Sequence, residues 1–322
     1  MQSGGTDSTQ EIRATAAKAE ALGVDSVWIV EDYFYTGGIA GVLAAMKATS
    51  RISIGTGILA TQTRHPALLA MEVATITALY PGRFNFGIGL GVVSWLRQMG
   101  ISPKSPIGAT TECVAGLRAL FNGEKYSAIS EYFEFNDVQL IHPPTAPIPI
   151  HIGAMNNRMI ELTGSIADGF VAGNTAGPKF VEHAKGLMRS SAHKNGRDLD
   201  HGITCYVVFS VDDDSAVARQ AVRPLVGFYL GICGKTAHVD VYDYTDHLLQ
   251  LLDAGGVEYV QANFPDSWLD ELAVAGTPAE CAAQINRFEA AGVDTLVLLP
   301  QPNASATQVL EKAALEVLPL IA

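Results

Sequence analysis

The sequence predicts an α/β fold of parallel strand–helix units, and three observations carry that reading. Short apolar runs rich in Val and Ile stand at residues 26–30, 52–58, 84–89, 149–154, 169–173, 203–210 and 295–300. Helical patterns separate them, and a parallel connection needs a crossover of about that length. The chain has 322 residues, 48% of them hydrophobic, which is ample material for one buried core. Seven strands alternating with helices fit a closed eight-stranded barrel with one strand unrecognised, or an open doubly wound sheet. Periodicity alone does not choose between these two.

Taken in order, the first helix occupies residues 6–23, with Ser8 or Thr9 as its cap and Ala and Ile at helical spacing. The strand at 26–30 follows, then a helix at 38–48 and the strand at 52–58. Pro66 suits the first turn of a helix over 67–79, which stops at Tyr80-Pro-Gly-Arg83 before the strand at 84–89. Residues 91–108 read as a long loop, 110–121 as a helix and 125–140 as a hairpin of alternating aromatic and polar residues. Helices at 156–165 and 178–195 separate the later strands. Residues 212–275 are long and mostly helical, an insertion before the last strand. One segment breaks the rhythm: residues 1–5 hold glycine and polar residues where a buried parallel strand should be rich in Val, Ile and Leu. The first strand is therefore expected to be missing, with Met1 an internal start and a further strand upstream.

Composition narrows the function. A net charge of -12 excludes a protein whose affinity comes from clustered Lys and Arg on nucleic-acid phosphates, and it disfavours anionic membranes. Gly, Pro or charged residues interrupt every apolar run before the ~20 residues of a membrane helix, and no signal peptide is evident. Cys113, Cys205, Cys233 and Cys281 are scattered without metal spacing, as expected of reduced core thiols in a cytoplasmic protein.

Three strand ends are glycine-rich: Gly55-Thr-Gly57, Gly87-Ile-Gly89-Leu-Gly91 and Gly153-Ala154. One such glycine marks a turn; three together point to a ligand approaching the backbone. The dinucleotide fingerprint fails, because Val92 and Ser94 stand where its last glycine would fall. Metal hydrolysis lacks its clustered His and carboxylates, and the acidic run from Asp240 to His247 has neither the ligand spacing nor the glycine of a calcium loop. No G-x-S-x-G elbow is present for a serine hydrolase.

The run from Arg51 through Gly55-Thr-Gly-Ile58 and Arg64-His-Pro66 to Thr75, continued by Leu79-Tyr-Pro-Gly-Arg83 and the strand to Gly91, closely resembles the bacterial luciferase-like monooxygenase family. Pro149-Ile-His-Ile-Gly-Ala-Met155 onward to Gly169, and Ala275-Gly-Thr-Pro-Ala-Glu280 with Ala290 to Asp294, agree with it. The resemblance covers nearly the whole chain in the expected order. It implies a single (β/α)8 TIM barrel over residues 1–322. Within the family the chain is most similar to the branch that uses the deazaflavin coenzyme F-420, which includes methylenetetrahydromethanopterin reductase and a glucose-6-phosphate dehydrogenase. Glu31-Asp-Tyr33, Gly153-Ala-Met155 and Ala167-Asp-Gly169 carry that likeness.

What the resemblance implies is a hydride-transferring oxidoreductase acting on a small organic substrate. Asp32 and Tyr33 would be catalytic groups near the ring, with Asp32 also contacting the coenzyme. Gly57 and Ile58 would form a bulge beneath the ring, with a cis peptide between them, and Thr56 would also contact the coenzyme. Gly89, Leu90, Gly91, Ala154, Met155, Asn156, Asn157 and Gly173 would complete the coenzyme site. Val92 replaces the glutamate of the sugar-phosphate dehydrogenases, so that acid does not carry over and glucose 6-phosphate is a poor substrate guess. Alternatives are an FMN-dependent monooxygenase fed by a partner reductase, and a non-catalytic flavin-binding protein. The family likeness also implies a homodimer, through the small-residue helices at 40–48 and 67–78. Trp95 and Trp268 are aromatic candidates for a substrate lid or for packing.

Overall fold

In a computed structural model, which describes residues 1–4, 7–198 and 201–321, parallel strands curl into a barrel surrounded by helices. The chain opens with β1 (Gln2–Gly4), α1 (Thr9–Ala21), β2 (Ser26–Val30), α2 (Gly38–Ala48), β3 (Ser53–Thr56), β4 (Leu59–Ala60), α3 (Pro66–Leu79) and β5 (Phe84–Gly89). After α4 (Val93–Gln98) and α5 (Pro106–Phe121) comes an antiparallel hairpin, β6 (Tyr126–Ile129) with β7 (Glu134–Val138). The alternation resumes with β8 (Ile150–Gly153), α6 (Asn157–Ile166), β9 (Gly169–Ala172), α7 (Pro178–Lys194) and β10 (Gly202–Val211). A helical excursion, α8 (Ser215–Cys233), α9 (Ala237–Asp240), α10 (Thr245–Asn263) and α11 (Leu269–Leu272), leads to β11 (Ala273–Gly276). The last elements are α12 (Pro278–Ala291), β12 (Thr295–Pro300) and α13 (Ala306–Lys312).

Parallel ladders join β1, β2, β3, β5, β8, β9 and β10 in that order, and β12 pairs with β10 over residues 204–209. β4 continues the path of β3 past an interruption at residues 57–58 and pairs with β5. β9 holds one edge of β10 at residues 202–205 and β11 takes over beyond it at 208–211, opposite β12. The excursion packs its own apolar cluster, with Val222, Val226, Leu248, Val260, Phe264 and Trp268 buried. Helix starts follow the sequence chemistry. Ser8 with Glu11, and Thr277 with Glu280, form reciprocal capping boxes, and Pro66, Pro106, Pro178 and Pro278 stand in first turns. Among the described residues no helix is long and apolar enough to cross a membrane.

Three expectations need correction. A short first strand is present: Gln2–Gly4 pairs in parallel with Trp28–Val30, and Trp28 N donates to Met1 O at 2.7 Å. Backbone pairing with the wholly buried β2 supplies its hydrogen bonds whatever its side chains, and Ser3 satisfies its own hydroxyl on Asp7 at 2.9 Å. The loop at 91–108 contains α4, and α5 starts earlier, at Pro106. The insertion holds a strand, β11, whose four small apolar residues carry too little pattern to separate from a helix end.

The barrel interior prepares the site. Trp28 lies in it against Tyr206, edge to face at 6.2 Å, with Val30, Val171 and Val297. Gly55 makes that possible, since a Cβ there would lie 2.5 Å from the Trp28 ring.

Candidate functional site

The carboxyl ends of the barrel strands deliver the predicted residues to one mouth. β2 ends at Val30 and hands on Glu31, Asp32 and Tyr33. Glu31 is buried and accepts hydrogen bonds from Gly38 N at 2.9 Å and from both terminal nitrogens of Arg64 at 2.8 and 2.5 Å. A buried carboxylate needs such partners, and this bidentate pair fixes the loop after β2 against the loop after β4. Tyr33 Oη lies 3.3 Å from Glu31 Oε2 and 3.4 Å from Thr63 Oγ1, and burial pushes its phenol up.

Asp32 sits next to this network without joining it. It is half-buried, and burial holds its carboxyl above the usual range. The groups felt electrostatically with it are phenols, Tyr206 from β10 and Tyr229 from α8. Asp32 does not cap α2, whose N-cap is Gly37. The Tyr206 hydroxyl is buried and has no hydrogen-bond partner, and burial and then Asp32 hold its phenol well above the ordinary value. Asn174 hydrogen-bonds Tyr229, while its own Oδ1 has no partner. Two such atoms, Tyr206 Oη and Asn174 Oδ1, lie on the residues that surround Asp32.

The bulge lies directly above Tyr206. The Gly57–Ile58 peptide is cis, as the resemblance implies, and so is Tyr33–Phe34. Gly57 N donates to Ile29 O at 2.9 Å, and a Cβ on Gly57 would fall 1.7 Å from Tyr206 Oη. Ile58 projects across the strand ends, and Cβ atoms on Gly89 and Gly153 would approach its side chain to 3.2 and 3.0 Å. The glycines therefore clear a shelf on which Ile58 lies. Thr56 plays a different part: its hydroxyl exchanges two 2.9 Å bonds with Gly87, replacing a piece of ladder, and it is wholly buried. Gly91 needs its left-handed backbone (φ 76°) and has no room for a side chain, with Ala60 Cβ 2.9 Å away. Leu90 is half-buried between these two glycines.

The remaining residues lie along β8, β9 and the starts of α6 and α7. Ala154 N bonds Val171 O at 3.3 Å, and Met155 O accepts from Ala237 N at 3.2 Å. Asn156 is the N-cap of α6, and Asn157 Oδ1 lies 3.0 Å from His183 Nε2. Asn157, Lys179, His183, Asp240 and Val241 line an open groove of about 400 Å³. Gly173 lies beside buried His238: a Cβ there would lie 3.4 Å from the ring, which packs on Phe180 at 4.1 Å. The structure thus brings Asp32, Tyr33, Gly57, Ile58 and Gly89 together, and places Asn157 in the groove. Sequence reasoning missed Tyr206, Tyr229, Asn174 and the Glu31–Arg64 pair. Glu31 and Arg64 stand in runs that carry the family likeness, but nothing in the sequence pairs them, and the signal for Tyr206 is a tyrosine within the apolar run Ile203-Thr-Cys-Tyr-Val-Val-Phe209. Of the two tryptophans, Trp95 touches Tyr33 at 6.2 Å, whereas Trp268 is buried and stacks on Tyr244 at 4.3 Å.

Comparison with known proteins agrees with this architecture. The chain is 29% identical over 301 residues to the 5,10-methylenetetrahydromethanopterin reductase of Methanolobus tindarius, covering 91% of this chain and 90% of the relative. It is 27% identical to the F-420-dependent glucose-6-phosphate dehydrogenase of Beutenbergia cavernae, covering 96% and 93%. The structure of the coenzyme F-420-dependent tetrahydromethanopterin reductase from Methanopyrus kandleri superposes with a TM-score of 0.85 at 23% identity, covering 100% and 98%, a likeness of fold. The family model for luciferase-like monooxygenases matches residues 1–295, and the chain belongs to that family.

Proposed function

We propose that this chain is an oxidoreductase that moves a hydride between coenzyme F-420 and a small organic substrate. The observation that carries the reading is the convergence of Asp32, the unpartnered Tyr206 hydroxyl and the glycine-cleared Gly57–Ile58 shelf at one barrel mouth. Such a mouth fits a flat ring with a polar edge, and the groove beside Asn157, where Lys179 and His183 stand with one carboxylate, Asp240, is where we place the polar side chain. Relatives whose names state F-420 dependence support the choice of coenzyme. A bound deazaflavin supplies the hydride chemistry, while the protein fixes its ring and excludes water.

The residues divide the work accordingly. Gly57 and Ile58 would support the ring beside Gly89, and Leu90 and Gly91, with Ala154 to Asn157 and Gly173, would follow its phosphate and side chain. Thr56 holds the bulge in place through Gly87. Asp32 is poised to hold or release a proton, because burial already disfavours its anion. Tyr33 is tied to Glu31 and Thr63, so we assign it to positioning and give the proton-handling role to Asp32 and Tyr206. The chain is read as one barrel unit over residues 1–322, at work in the cytoplasm. It is also read as a homodimer, since Leu68, Met71 and Leu79 leave an exposed apolar stripe along α3.

A second reading, an FMN-dependent monooxygenase with a partner reductase, is favoured by the description of the matching family model. Equilibrium titration with F-420 and with FMN, each followed by fluorescence, separates the two. Tighter binding of F-420, lost on Gly57→Val but not on the distant Leu79→Lys, supports the first reading. Tighter binding of FMN overturns it.

A further inference from the structure

On the reading of the site just given, we propose that the substrate is a neutral, largely apolar molecule of aromatic size carrying one carbonyl or hydroxyl group. The argument starts from what surrounds Asp32. Its own loop contributes Glu31 and Tyr33, β10 contributes Tyr206, and α8 contributes Tyr229. Glu31 is already neutralised by Arg64, which binds both carboxylate oxygens. The rest are phenols that burial keeps protonated, so no cation faces the carboxyl among the described residues. A phosphate or carboxylate brought to this point would meet Asp32 with nothing to offset the repulsion and desolvation. The basic residues of the neighbouring segments, Arg97 and Lys235, are exposed. A single neutral oxygen suits the centre, since Asp32 is half-buried, has no protein partner that fixes it, and with its anion disfavoured by burial can share one hydrogen bond with such a group.

The rim supplies the second, independent observation. Three segments distant in sequence leave large apolar side chains exposed around the same point. They are Phe34 and Tyr35 after β2 (61% and 59% exposed), Val92 and Val93 at the start of α4, and Phe228 and Ile232 in α8. A ring contact joins the first two segments, Tyr33 touching Trp95 at 6.2 Å, and α8 reaches the same place through Tyr229, which stands close enough to Asp32 to feel its charge. Phe228 and Ile232 are one helical turn apart in α8, and Phe228 stands beside Tyr229, which neighbours Asp32. Single exposed apolar residues are ordinary on a protein surface. Aromatic and branched residues gathered from three segments around an acidic, cation-free centre mark a binding mouth for an apolar body.

The test uses the protein with and without saturating F-420 and three probes: 2-acetylnaphthalene, sodium 2-naphthoate and glucose 6-phosphate. Affinities are read by ligand-observed NMR, and association by light scattering. The proposal predicts that 2-acetylnaphthalene binds at least about tenfold more tightly than 2-naphthoate, and that glucose 6-phosphate shows no saturable binding. In the Phe34→Ser/Phe228→Ser double variant the neutral probe should weaken about tenfold, while the melting temperature and F-420 affinity stay as in the parent. Equal or tighter binding of either anion overturns the proposal, as does an unchanged affinity in the double variant. Loss of a parent dimer in that variant also overturns it, because the rim would then be a subunit contact. If F-420 fails to bind while the neutral probe keeps its preference and its dependence on Phe34 and Phe228, the coenzyme reading falls and the apolar mouth stands.

Discussion

At the scale of single residues, the account turns on atoms that lack partners. Tyr206 Oη occupies the space that any Gly57 side chain would need, a Cβ there lying only 1.7 Å from it, so the two positions are coupled. Gly57→Ala should cost roughly 1–3 kcal/mol through overpacking. Combined with Tyr206→Leu, which vacates that space, the loss should be smaller than the sum of the single losses, as measured by urea unfolding. Additive losses would contradict the geometry. Asp32 makes the opposite kind of prediction. Asp32→Asn removes no hydrogen bond that the fold depends on, so its melting temperature should stay within a few degrees while turnover falls by about 100-fold or more. A cap or structural carboxylate would reverse that pattern, with stability lost and activity kept. Buried His238 gives a pH signature. Burial pulls its imidazole down to about 3, so the folded protein keeps it neutral while the unfolded chain protonates near its ordinary ~6.5. Stability from this group is therefore complete above about pH 6.5 and falls as the pH drops towards 3. By pH 5 the loss is about 2 kcal/mol. His238→Gln should flatten that part of the stability profile, and an unchanged slope between pH 7 and 5 would show that the imidazole is not sequestered.

At the scale of elements, Glu20 shows how one side chain joins two of them. Its carboxylate, on α1, accepts from the backbone nitrogens of Ser50, Arg51 and Ile52 just before β3, and these bonds pull it down to about 2. Its contribution is present above its ordinary value of 4.5 and is lost as the pH falls towards 2. Glu20→Gln should lower stability at pH 7 and leave it less sensitive to acid between pH 5 and 2. Equal acid sensitivity in variant and parent would exclude the link. Elements with strong local signals were legible from sequence: 26–30, 38–48, 84–89 and 295–300 have the bounds that periodicity gives. β1 and β11 were not, because runs of three or four residues, Gln-Ser-Gly and Ala-Val-Ala-Gly, gain their order from pairing with β2 and β10 and leave no periodic trace. The site divides in the same way. Gly57, Gly89 and Gly153 were readable because close approach demands glycine. Tyr206, Tyr229 and Asn174 come from segments far apart in the chain, and their meeting with Asp32 depends on barrel closure.

At the scale of the whole molecule, an acidic barrel with one glycine-cleared mouth and one apolar stripe on α3 has two surfaces to account for. If the stripe pairs two subunits, Leu68→Lys/Met71→Lys should convert a dimer into a monomer by light scattering without altering coenzyme affinity. A parent that is monomeric across micromolar concentrations would contradict the dimer. The mouth carries the central claim, which is two-electron hydride transfer through a deazaflavin. The direct measurement is rapid mixing of the enzyme loaded with reduced F-420, and separately with reduced FMN, against oxygenated buffer. A deazaflavin has carbon in place of the reactive ring nitrogen and reacts poorly with oxygen. The account predicts tight binding of reduced F-420 with no oxygen consumed. Preferential binding of reduced FMN, with oxygen uptake and peroxide release, would contradict it.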